Sequence, residues 1–127
     1  MKKNVVDSSG WLEYFADAEN AHFFAPAIEN TKNLIVPSIS LLEVFKHILR
    51  RCSEKQAFES IECMMQGTVV DLGIEISLNA AKLGIQHNIP LADSIILATG
   101  MAYEATIWSQ DADFDGLPHV KYIKKKY

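Results

Sequence analysis

The stretch Asn4-Val5-Val6-Asp7-Ser8-Ser9-Gly10-Trp11-Leu12 decides how this chain is read. A short apolar run ends on an acid, two serines and a glycine follow, and an apolar, aromatic segment begins. Asn4–Asp7 reads as a short buried strand, and Trp11-Leu12-Glu13-Tyr14-Phe15 as the first helix, with Ser8 or Ser9 as its N-cap. The same succession returns near the other end, where the strand-like run Thr106-Ile107-Trp108-Ser109 leads to Asp111 and Asp113.

Between these two stretches, short strands alternate with helical patterns. Glu19–Asn30 reads as a helix that Pro26 should break or shift, and Asn33–Val36 as a strand ended by Pro37. A long helix capped by Ser38 or Ser40 runs through Arg51, with Leu41, Leu42, Phe45, Ile48 and Leu49 at helical spacing on its buried face. Ser53 with Gln56 matches a capping box opening a helix over Glu54–Gln66. Then come a strand at Thr68–Leu72, helices at Ile74–His87 and Leu91–Tyr103, and a last strand at Val120–Ile123. Strands separated by helices predict parallel pairing and an α/β fold, a three-layer α/β/α sandwich around a short central parallel sheet. No linker or repeat divides the chain, and 127 residues suit one domain spanning 1–127.

Composition narrows the function. A hydrophobic fraction of 49% and a charged fraction of 22% are ordinary for a globular protein. The apolar runs fall short of the roughly 20 residues that span a bilayer, and the N-terminus has no long apolar core, so neither a membrane span nor a signal peptide is expected. Cys52 and Cys63 lack metal-ligand spacing and read as reduced thiols of a cytoplasmic protein. A net charge of −4 argues against broad electrostatic binding to nucleic acid, although acids that hold a cation recruit phosphate through it.

The chemistry lies in the acids. Asp7, Glu43, Asp93, Asp111 and Asp113 each stand beside an apolar run. A carboxylate so placed is costly unless it is paired, hydrogen-bonded or bound to metal. Each has a structural alternative as a helix cap, a helix-dipole partner or a turn residue. Together, at the ends of apolar elements, they predict one convergent site for a hard divalent cation, Mg2+ or Mn2+. In open parallel sheets such a site lies beyond the carboxyl ends of the strands, where Asp7 and Asp111 fall. Asp111-Ala112-Asp113-Phe114-Asp115-Gly116 matches half of a calcium loop, but Tyr122 stands where the bidentate Glu would be required.

Four segments in order resemble the PIN domains, and among them the short VapC-type ribonuclease toxins: Val5-Val6-Asp7-Ser8-Ser9, Ser40-Leu41-Leu42-Glu43-Val44, Leu91-Ala92-Asp93-Ser94-Ile95-Ile96-Leu97-Ala98 and Trp108-Ser109-Gln110-Asp111-Ala112-Asp113-Phe114. Ser109 replaces the usual threonine and keeps the hydroxyl. The resemblance implies a metal-dependent endoribonuclease using Asp7, Glu43, Asp93 and Asp111, often a homodimer, and commonly inhibited by a small antitoxin partner. Mg2+ takes only one or two protein carboxylates directly. Asp7 and Asp93 are therefore expected as direct ligands with Asp111 third, Glu43 and Asp113 acting through water or orienting ligands, Asp113 counted with the metal set, and Ser9 and Ser109 in support. The rival readings are another metal-dependent phosphoryl-transfer enzyme and a degenerate domain that binds RNA or protein without cleavage. Lys46 and Arg50 share a helix face with Glu43 and His47 and are candidates to guide RNA phosphates, as is the tail Lys124-Lys125-Lys126. Trp11, Tyr14, Phe15, Phe23 and Phe24 are either core or partner surface.

Overall fold

A computed structural model describes residues 2–126. Five parallel strands form one sheet in the order β3-β2-β1-β4-β5. They are β1 (Asn4–Val6), β2 (Leu34–Pro37), β3 (Thr68–Val70), β4 (Thr106–Ser109) and β5 (Val120–Tyr122). The helices are α1 (Ser8–Phe15), α2 (Ala21–Glu29), α3 (Ser38–Arg51), α4 (Glu54–Met64), α5 (Ile74–His87) and α6 (Leu91–Ala102).

Strand alternation sends neighbouring residues to opposite faces. Val6, Leu34 and Val36 enter one core with Trp11, Phe24, Val44, Ile48 and Met64, under α1 to α4. Val5, Ile35 and Ile107 enter the other with Ile96, Leu97 and Phe114, under α6. Ala80, Ile95 and Ala98 lock α5 onto α6 through small side chains. The three-layer sandwich expected from the alternation of strands and helices is therefore the observed one. Each fully buried Val, Leu, Ile or Phe contributes about 1.5–3 kcal/mol, so the two faces rather than the three- and four-residue strands hold the sheet together.

Some local expectations are corrected. Neither Ser8 nor Ser9 caps α1: both are helical, and Asp7 is the cap, accepting from the Gly10 N–H at 2.8 Å. Ser38 and Ser40 lie inside α3, whose cap position is Pro37. Pro26 does not break α2; it is exposed, on the side where water can satisfy the carbonyl its ring deprives of a donor. Ser53 caps α4 as expected, the Gln56 N–H donating to Ser53 Oγ at 3.1 Å, but the reciprocal half of the capping box does not form, because the Gln56 side chain accepts from the Ser53 hydroxyl at 3.2 Å. The N-terminal aromatics are chiefly core: Trp11 and Phe24 are fully enclosed, and Tyr14, Phe15 and Phe23 pack half-buried against them.

Gly10 shows how tightly α1 is seated. A Cβ there would lie 2.6 Å from Phe24 and 2.8 Å from Val6, so only glycine allows the first turn of α1 to sit this close to α2 and β1.

Candidate metal centre

β1 pairs with β2 on one side and with β4 on the other, so the chain switches direction across the sheet at the carboxyl end of β1. Loops part there and leave a crevice. Asp7 leaves β1 into that crevice and Asp111 follows β4.

Asp7 is 2% exposed. One carboxylate oxygen accepts from the Gly10 N–H, and the other from Ser109 Oγ at 2.8 Å. Ser9 Oγ adds weaker contacts at 3.3 and 3.4 Å. Ser109 Oγ in turn accepts from the Asp111 N–H at 2.9 Å, so one hydroxyl ties the β1 acid to the loop after β4. Burial pushes the Asp7 carboxyl up to about 7, against the hydrogen bonds from Ser109 and Gly10, and the charge of Asp111 adds to the rise.

Asp93 enters from the first turn of α6. Its carboxyl is also pushed up to about 7, by burial first and then by Asp111, Asp113 and Asp7. Asp93, Asp111 and Asp113 each present an oxygen within 4.8 Å of the others. Asp113 is held at the start of a short 3-10 turn, Ala112–Phe114, by its N–H donating to Asp111 Oδ1 at 2.9 Å. Phe114 anchors that turn in the core.

The acids are thus drawn together unequally. Asp93, Asp111 and Asp113 form the tightest set, and Asp7 lies beside them with its oxygens already engaged. Glu43, half-buried on α3, accepts from Ser8 Oγ at 2.6 Å. That bond fixes α3 to the start of α1. Lys46 and Arg50 follow Glu43 along an exposed face lining a small cleft of about 260 Å3 with His47. Partial desolvation lowers the His47 pKa, and the charges of Arg51, Arg50 and Lys125 lower it further.

Two residues with no ionisable group escaped the sequence reading. Gln110, buried between Ser109 and Asp111, donates from Nε2 to Glu13 Oε1 at 3.1 Å and accepts from Asn20 Nδ2 at 2.9 Å. A buried neutral amide carries no periodicity or charge signal, so only the structure reveals it. A roomier cavity of about 840 Å3, lined by Lys2, Lys3, Tyr103 and His119 among others, lies at the amino ends of the strands, away from the acids.

The donor set suits a hard cation. Three carboxylate oxygens converge and two acids are destabilised as anions by burial and mutual repulsion, the condition a bound cation relieves. All the donors are oxygen, which suits a hard cation rather than a thiophilic or imidazole-loving metal.

Comparison with known proteins agrees with this architecture. The family model of the PIN domain matches residues 5–120. No curated protein matches the chain. Among solved structures, a chain of a toxin-antitoxin complex from Klebsiella pneumoniae superposes with a TM-score of 0.78 at 19% identity, covering 94% of this chain and 96% of its own. A chain of VapBC2 from Rickettsia felis, bound to a DNA fragment from its promoter, gives 0.73 at 12% identity over 95% and 97%. Mycobacterium tuberculosis VapC20, a toxin that cleaves the sarcin-ricin loop, gives 0.69 at 16% identity over 89% and 92%. With most of its length matched by the family model and its acids gathered at the sheet's switch point, this chain belongs to the PIN-domain family.

Proposed function

We propose that this chain is a divalent-metal-dependent endoribonuclease and acts as the toxin of a two-protein toxin–antitoxin module. The observation that carries the reading is the convergence of Asp93, Asp111 and Asp113 beside buried Asp7. A domain that only binds RNA or protein gains nothing from acids held in mutual repulsion. The likeness to toxins seen in toxin–antitoxin structures supports the second half of the proposal.

Asp93, Asp111 and Asp113 would hold Mg2+ or Mn2+, with Asp7 facing the same centre and Glu43 at its edge. Bound there, the cation supplies a water of lowered pKa and charge stabilisation at the phosphate. The chain's own part is to fix its carboxylates. Gly10 and Ser109 orient Asp7, Ser109 also holds the Asp111 backbone, and the turn around Asp113 is pinned by Phe114. Lys46 and Arg50 would guide RNA phosphates along α3 towards Glu43.

Exposed apolar residues support protein partners. Leu42, Leu49, Phe58 and Met65 are open on α3, on α4 and just beyond it, and Ile74, Leu78, Ile85 and Leu91 are open on α5 and at the start of α6. We assign these surfaces to a homodimer and a small antitoxin. No described helix is long and apolar enough to cross a membrane, and a cytoplasmic site of action suits an RNA substrate.

Expression of the intact chain in its host without a partner tests the toxin half. Growth arrest that Asp93→Asn relieves supports it; unaffected growth, with no small protein co-purifying, refutes it. Cleavage of RNA in vitro tests the nuclease half separately.

A further inference from the structure

A second cleft of about 420 Å3 opens directly beside the acids, with Ser9 and Asp111 on its inner side and Gln110, Tyr122, Lys124 and Lys125 around the rest. Its size falls within the roughly 300–1,000 Å3 of small-ligand sites. The outer wall is the chain running out of β5, and it is held in place. The Ile123 N–H donates to the Ser109 carbonyl at 3.0 Å, carrying the ladder one residue past the strand. Asn20 Nδ2 donates to the Lys124 carbonyl at 3.1 Å and to Gln110 Oε1 at 2.9 Å. Asn20 itself is fixed by its N–H donating to Glu13 Oε2 at 2.9 Å, and Gln110 Nε2 reaches the other Glu13 oxygen.

Exposed terminal lysines are ordinarily free to move. Here a pair of buried amides, Asn20 at 0% and Gln110 at 3% exposure, ties the backbone of Lys124 to the residue next to Asp111. Burying an amide is unfavourable unless its hydrogen bonds are made; Asn20 Nδ2 makes one of its two to the tail, Gln110 Nε2 turns to Glu13, and Asn20 Oδ1 has no partner among the described residues. The result is a cleft with Asp111 on one wall and, on the other, two exposed lysines whose backbone is held at Lys124. Any anion would suit the lysines but would be repelled by Asp111 unless a cation is held by the acids. A nucleic-acid strand fits both walls, with one phosphate at the acidic centre and its neighbour at the lysines.

We propose that this cleft is a nucleotide subsite of the RNA path, in which Lys124 and Lys125 take the phosphate adjoining the scissile one and Tyr122 stacks the intervening base. Asn20 and Gln110 are positioning residues, acting through the tail they hold. The inference rests on the nuclease reading and adds to it which side of the acidic centre the strand follows.

The test begins with wild-type cleavage of single-stranded RNA in Mg2+ or Mn2+, since absence of cleavage overturns the nuclease reading and this inference with it. With cleavage present, affinity for a short labelled single-stranded RNA of mixed sequence is measured on the full chain carrying Asp93→Asn, across about 50–200 mM salt. Each phosphate contact contributes about 0.7 to the slope of log affinity against log salt for single strands, so Lys124→Gln with Lys125→Gln, which releases that one phosphate, reduces the slope by about 0.7. Tyr122→Leu weakens binding about 5- to 150-fold, the range for loss of one stacked base. Asn20→Ala lowers the slope although it removes no charge; a lower melting temperature with an unchanged slope overturns the positioning role. An unchanged slope in the double lysine variant overturns the subsite while leaving the nuclease reading intact. So does an equal loss of slope on Lys82→Gln, which lies on α5 away from the cleft and removes only bulk charge.

Discussion

Replacing Asp7 by asparagine should stabilise the metal-free protein at pH 8 and lose that advantage at pH 5. The Asp7 carboxyl is raised from 3.8 to about 7 in the fold, chiefly by burial. That rise corresponds to roughly 4 kcal/mol held against the charged form. Asparagine keeps an oxygen for the Gly10 N–H and remains a good cap, but it weakens the charge-assisted bonds from Ser109 and Gly10, a loss of about 1.5–3 kcal/mol. The variant should therefore be more stable by about 1–2 kcal/mol at pH 8, or roughly 4–8 °C in melting temperature for a chain of this size.

The sign of the pH dependence follows from linkage. The folded pKa lies above the unfolded one, so between about pH 4 and 7 the folded wild type binds more protons than the unfolded chain. Wild-type stability accordingly falls as pH rises through that window and levels off above it. From pH 8 to pH 5 the variant should lose roughly 2–3 kcal/mol of its advantage, so the difference in melting temperature shifts by about 10 °C. Asp93 titrates in both proteins, but the Asp7 charge helps to raise it, so the difference reports Asp7 together with its coupling to Asp93. Melting curves in chelator at both pH values measure it. A difference that stays constant between pH 5 and pH 8 would mean that Asp7 ionises normally and that the acids are not crowded.

Gly10→Ala should lower the melting temperature by overpacking against Phe24 and Val6, at a cost of about 1–3 kcal/mol, and an unchanged melting temperature would contradict the close seating of α1. Lys46→Gln with Arg50→Gln should raise the KM for RNA and leave kcat and the melting temperature unchanged; an unchanged KM removes these residues from the RNA path. Sedimentation at micromolar concentration should find a dimer, and a clean 14.2 kDa species would refute it.

The fold was legible in the sequence because each layer left its own period. Short apolar runs such as Val5-Val6 and Leu34-Ile35-Val36 alternate with helical spacing, and that alternation alone implies a parallel sheet with helices on both sides. The acids were legible because a carboxylate beside an apolar run is a rare conjunction. Their relative depth was not. Asp7 is enclosed by Ser109 and Gly10, residues remote from each other in the chain, whereas Asp113 reaches the centre through a turn anchored by Phe114. Capping at Ser8 and Ser38 was misjudged for a physical reason: the preceding residue supplied the extended backbone, and at Asp7 the acid outcompeted the serines for the orphan amide. Asn20 and Gln110 left no trace, since what they do depends on pairing over 90 residues.

The most direct measurement is RNA cleavage by the purified chain under three conditions: with Mg2+ or Mn2+, with chelator, and with metal on Asp93→Asn. The account predicts cleavage in the first alone, with activity lost by orders of magnitude in the variant while its melting curve stays cooperative. Cleavage that persists in chelator, or an Asp93→Asn protein as active as the wild type, would contradict it.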